Sequence, residues 1–161
     1  MQKRKPDQAE IYQKLMRYCA YQERSPYDVM QKMRTWEMDA KAMEETLNFL
    51  QEEGFVDEER FAASYVRGKF NSNKWGRNKI REGLYARKIP KYIIEQALAE
   101  LDEDLYAAQL VKLLEKKHAA LKEEDPFKRK QKLALYAQSK GYELDLIWKL
   151  TDQIISKTDD K

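Results

Sequence analysis

Apolar side chains recur along the chain at three- and four-residue spacing, which predicts helices throughout and no strand of useful length. Residues 8–22 place Ile11, Leu15, Tyr18 and Cys19 on one face, and polar Gln22 ends that stripe. Ser25-Pro26 then reads as an N-cap followed by proline at the first helical position, where its missing N–H costs nothing. Val29, Met30, Met33 and Trp36 continue that helix, and Asp39 opens the next, with Met43, Leu47 and Leu50 inward and Gly54 at its end.

The same punctuation returns twice. Asp57 caps a helix facing inward through Phe61, Ala62, Tyr65, Val66 and Phe70; Asn71-Ser72-Asn73 is a loop, and Trp75-Gly76 opens a helix carrying Ile80 and Leu84. Pro90 opens another with Ile93, Ile94, Ala97, Leu98 and Leu101. A third set runs from Leu105 through Leu110, Leu113, Leu114 and Leu121, and restarts at Asp125-Pro126 with Leu133, Tyr136 and Ala137. It stops at Gly141 and ends on Leu144, Ile147, Leu150 and Ile154.

Spacing adds a longer period. Met33, Leu84 and Leu135 lie 51 residues apart, Leu47 and Leu98 likewise, and Leu84-Tyr85-Ala86 recurs as Leu135-Tyr136-Ala137. The expected fold is all-α: three tandem three-helix repeats over residues 8–55, 56–103 and 104–156, forming an elongated, curved array. The alternative is a nine-helix globule with chance similarity between its parts.

Composition narrows the function. The chain has 161 residues, 42% of them hydrophobic, with a mean hydropathy of −0.89. No apolar run approaches the ~18 residues of a membrane span. The start, Met1-Gln2-Lys3-Arg4-Lys5-Pro6, lacks the apolar stretch of a secretory signal. With one cysteine, Cys19, the expected setting is reducing and cytoplasmic. Cys19 reads as buried and inert. One histidine, His118, and one cysteine make no zinc cage, and there is no glycine-rich phosphate loop. No catalytic residues, cofactor or metal are therefore expected.

A net charge of +3 conceals its distribution. Residues 1–59 carry a net −4, residues 60–91 a net +9 and residues 92–161 a net −2. On a helix from Lys74 to Lys88, positions 74, 77, 81 and 88 share a face, with Tyr85 among them. The candidate binding residues are Arg67, Lys69, Lys74, Arg77, Lys79, Arg81, Arg87 and Lys88, a surface suited to an anionic polymer or an acidic protein. The alternative is a solvated helix face balanced by acids elsewhere. On the binding reading, reversing Arg77 and Arg81 leaves the thermal midpoint nearly unchanged. Trp75 stands beside this helix, as a stacking platform for a base or as a packing residue. Trp36 and Trp148 read as core. Lys128-Arg129-Lys130 and Lys132 form a second basic cluster after Glu123, Glu124 and Asp125, with a structural and a binding reading equally open.

The central stretch resembles the RecX regulatory family. The residues that carry the likeness are Gly54-Phe55-Val56-Asp57-Glu58-Glu59-Arg60-Phe61-Ala62, Tyr65-Val66, Trp75-Gly76-Arg77-Asn78-Lys79-Ile80 and Leu84. Arg24-Ser25, Asp28-Val29 and Lys32-Met33 match more loosely, as do Lys140-Gly141-Tyr142 and Ile147. Lys88 stands before Ile89 where the family often has glycine, and Pro26 with its Met-rich helix is atypical. The resemblance implies a non-enzymatic protein of three three-helix units. It implies binding to the RecA recombinase filament in its helical groove, usually with inhibition of strand exchange and ATP hydrolysis. Single- or double-stranded DNA is a further partner, and no membrane is. The alternatives are a stand-alone DNA-binding module and a protein-only helical adaptor.

Overall fold

The computed structural model describes residues 6–159; the basic start read at Met1–Lys5 lies outside them. The described residues form nine helices and no strand: α1 (Gln8–Tyr21), α2 (Pro26–Arg34), α3 (Ala40–Glu52), α4 (Glu58–Asn71), α5 (Arg77–Ala86), α6 (Lys91–Ala99), α7 (Glu103–Ala120), α8 (Pro126–Ser139) and α9 (Leu144–Asp159). None of them is long and apolar enough to cross a membrane.

Local chemistry sets most of the helix starts. Ser25 and Asp28 close a capping box at α2, each side chain taking the other's backbone N–H at 3.0 Å. Asp39 accepts from Ala42 N at 2.8 Å, Asp57 from Arg60 N at 2.9 Å and Asp125 from Lys128 N at 3.0 Å. Asp7 and Asp102 cap α1 and α7 in the same way. The helix ends share a device. A left-handed residue follows α3, α5 and α8, and the next N–H reaches back to a carbonyl of the last turn: Phe55 to Leu50, Ile89 to Leu84, Tyr142 to Ala137. Glycine takes that position at Gly54 and Gly141, but at the end of α5 it is Lys88, with φ +58°. The turn is therefore kept without the glycine.

By contact the chain divides into two compact units, residues 1–64 with 84–94, and residues 65–83 with 95–161. In the first, Ile11, Leu15, Val29, Met33, Met43, Leu50 and Val56 form the core, with Cys19 and Trp36 packed half-buried at its edge. Burial and the nearby Glu23 push the Cys19 thiol up, against the opposing pull of Arg24. The thiol is thus only half-buried, but disfavoured as a thiolate. In the second unit α7, α8 and α9 pack on one another. Its core holds Phe70, Ile80, Tyr106, Leu110, Leu114, Leu133, Ala137, Tyr142 and Ile147.

Two expectations are corrected. The helix expected over residues 74–88 spans only Arg77–Ala86, because Lys74 and Lys88 both take left-handed backbone, at φ +61° and +58°. The shared face at 74, 77, 81 and 88 therefore does not exist. The period also slips at its third copy: Met33 and Leu84 are fully buried, whereas Leu135 is 65% exposed. Leu133 is the buried residue there. A two-residue slip turns a helix by about 200°, so the repeated Leu-Tyr-Ala triplet presents opposite faces in α5 and α8. Leu105 and Leu144, placed inward by periodicity, are also exposed.

Gly68 lies inside α4, and a Cβ there would meet nothing within 4 Å. Gly68→Ala is expected to stabilise the fold by about 0.4–1 kcal/mol, read as a raised urea midpoint with unchanged slope.

Candidate functional site

The loop Lys74-Trp75-Gly76 and the first turn of α5 carry three of the candidate residues, Lys74, Arg77 and Lys79, and the second unit grips this loop from two sides. Gly76 N–H donates to Lys140 O at 2.7 Å and Asn78 N–H to Gly141 O at 2.8 Å. The Tyr142 hydroxyl donates to Lys74 O at 2.9 Å and accepts from Gln109 Nε2 at 2.9 Å. From α7, the fully buried Tyr106 presents its hydroxyl, which accepts from Arg77 N–H at 3.0 Å and donates to Glu143. Burial and that carboxylate drive the Tyr106 phenol far above the ordinary tyrosine range. It stays protonated and stays a donor.

Arg77 belongs to this clasp. Its guanidinium pairs with Glu143 and Glu103 at 2.7 Å each and lies 3.9 Å from the centre of the Tyr106 ring. Its side chain is only 15% exposed. The expectation of a solvent-facing Arg77 is corrected: the partners that absorb it arrive from α7 and from the turn before α9. Arg81 is half-committed, with a two-pronged pair to Glu95 at 2.7 and 3.2 Å and a bond to Asn78.

The remaining cations of the second unit are more available. Arg67 and Lys74 are exposed. Lys69 and Lys79 place their ammonium groups 4.9 and 4.7 Å from the centre of the Trp75 ring, which is half-buried. Trp75 is thus a packing residue whose face is engaged by lysines. Of the candidate residues in this unit, Arg67, Lys69, Lys74 and Lys79 are thus the ones whose charges are exposed or only half-covered. In the first unit, Arg87 lies 3.7 Å from Asp28, and Lys88 is exposed, 5.9 Å from the Tyr27 ring.

The second basic cluster is largely structural. Arg129 donates to the carbonyls of His118 and Leu121 at 2.9 Å, closing the C-terminus of α7. Lys130 pairs with Asp152 beside half-buried Trp148, and Lys132 with Glu123 at 2.9 Å. Among the described residues no three His, Cys, Asp or Glu side chains are grouped to hold a metal ion.

Fold and site together define an all-helical protein of three-helix units, with a basic loop between α4 and α5 held by residues of α7 and of the α8–α9 turn. Two family models match, the second three-helix domain of RecX over residues 57–98 and the third over 103–150, together more than half of the chain. The chain belongs to the RecX family. It is 27% identical over 143 residues to the regulatory protein RecX of Clostridioides difficile, covering 89% of this chain and 67% of that one. With that of Clostridium tetani the identity is 33% over 137 residues, covering 84% and 59%. With that of Limosilactobacillus reuteri the chain spans 58% of the relative's length, so it matches roughly three-fifths of such relatives. The crystal structure of RecX from Lactobacillus salivarius superposes with a TM-score of 0.80 at 25% identity, covering 95% of this chain and 97% of that one.

Proposed function

We propose that this chain is a non-enzymatic regulator that binds the RecA recombinase filament on DNA and restrains strand exchange and ATP hydrolysis. The observation that carries this reading is the overlap of the RecX second-domain match, residues 57–98, with the basic set Arg67, Lys69, Lys74 and Lys79. On this reading the chain comprises three units, residues 8–55, 56–103 and 104–156, acting in the cytoplasm. The helix triplets α1–α3, α4–α6 and α7–α9 support that division. The cations of the middle unit meet DNA phosphates or an acidic filament surface, and the effect follows from occupancy, without a chemical step by this chain.

The test is RecA-catalysed strand exchange and DNA-dependent ATP hydrolysis with the protein added up to filament stoichiometry. Both rates are expected to fall, and Arg67→Glu with Lys79→Glu to need about tenfold more protein for the same effect. Those substitutions cost stability of about 1 kcal/mol or less, since one residue is exposed and the other gives up only a ring contact. No effect of the parent protein at stoichiometry rejects the proposal. Steeply salt-dependent DNA binding without RecA, with no effect on the filament, would favour a DNA-binding module instead.

A further inference from the structure

The second unit holds a groove of about 690 Å³ that the reading above touches only through Lys74 at its edge. One wall is α7, through Leu105, Ala108, Lys112, Lys116 and Ala120; the other is the end of α4 and its loop, with Tyr136 of α8 and Lys140 just after it. The α7 positions follow helical spacing from 105 to 120, a stripe about 22 Å long. The helix thus has two working sides. Tyr106, Leu110 and Leu114 are fully buried in the core, while Leu105 is 64% exposed on the groove side.

We propose that this groove docks an acidic, amphipathic helical segment of a partner protein. Three observations select that occupant. Lys74, Lys112, Lys116, Lys117 and Lys140 line the groove and, among the described residues, no carboxylate does, which fits a run of Asp and Glu. The rest of the α7 wall is apolar, with Leu105, Leu113 and the two alanines, which fits side chains at i, i+3, i+4 and i+7 of a facing helix. A nucleic acid fits less well, because the aromatic faces are taken. Phe70 stacks on Tyr106 at 6.0 Å, and Lys117 and Lys140 lie 4.8 and 5.9 Å from the centre of the Tyr136 ring. The proposal concerns a surface apart from Arg67 and Lys79 and stands whether or not the filament reading does.

The test uses the whole chain without recombinase. The probe is a fluorescent peptide of about fifteen residues, leucines at helical spacing among Asp and Glu, with a scrambled peptide of the same composition and a thymidine oligonucleotide as comparators. The amphipathic peptide is expected to bind at least about tenfold more tightly than the scramble. Lys112→Glu with Lys116→Glu should cost about tenfold or more, and so should Ala108→Trp, which fills the groove and leaves its charge alone. These three residues are exposed, so a retained thermal midpoint is expected and separates a lost site from a lost fold. The proposal is overturned if Ala108→Trp leaves peptide affinity unchanged, or if the scramble binds as well. It is equally overturned if the oligonucleotide is the ligand that Ala108→Trp displaces.

Discussion

Gly76→Ala is expected to lower stability by about 3 kcal/mol or more, a fall in thermal midpoint of roughly 6–12 °C for a chain of this length. A Cβ on Gly76 would stand 2.5 Å from the carbonyl carbon of Gly141 and from Tyr142 N, and 2.6 Å from Gly141 O. These are backbone atoms, which cannot swing aside as a side chain does. The loop must back away, which loosens the bonds from Gly76 N to Lys140 O and from Asn78 N to Gly141 O. Each such bond is worth about 1 kcal/mol net, and more if its buried partner is left unmade. The reciprocal site is as tight: a Cβ on Gly141, at φ +99°, would lie 2.5 Å from Lys79 Cβ and 2.6 Å from Lys79 N. Amide exchange at residues 76 and 78 is the direct measurement. A Gly76→Ala protein with parental midpoint and parental protection there would refute the clasp.

Arg77→Glu should cost about 3 kcal/mol in urea unfolding, whereas Arg81→Glu should cost about 1 kcal/mol or less. Both residues carry ion pairs, so burial decides between them. The Arg77 side chain is 15% exposed and its partner Glu143 29%, while the Arg81 and Glu95 side chains are 38% and 43% exposed. Reversal at 77 leaves Glu143 without its cation, sets a second carboxylate beside it and strips the guanidinium from Tyr106. Water screens the pair at 81, and the lost bonds there are replaced by hydration. Equal small losses at the two positions would show that Arg77 faces solvent after all.

That contrast marks where a linear reading succeeds and fails. Ser25, Asp39, Asp57 and Asp125 declare helix starts through chemistry confined to the next three residues, so spacing alone finds them. Asp102 does the same work for α7, although periodicity points no earlier than Leu105 there. The partners of Arg77 lie 26 and 66 residues further on, and nothing near Arg77 in the chain distinguishes it from Arg81. The stripe from Lys74 to Lys88 fails for a local reason, the two left-handed residues that bound α5. Nothing along the chain singles out Lys112 and Lys116, because the opposite wall of their groove comes from residues 70–74 and 136–140. The family likeness falls within the stretch that the RecX second-domain model matches; the structure adds that Gly76, Arg77, Gly141 and Tyr142 hold its loop in place.

Lys74 and Lys88 set thermal selection against charge. Left-handed backbone costs a residue with a Cβ about 1 kcal/mol that glycine escapes. A screen that rewards only heat resistance would therefore drive both positions toward glycine, each time deleting a cation from the +9 stretch. A hardened variant obtained that way would be a less basic molecule with the same fold, and its thermostability would say nothing of the charge it had lost.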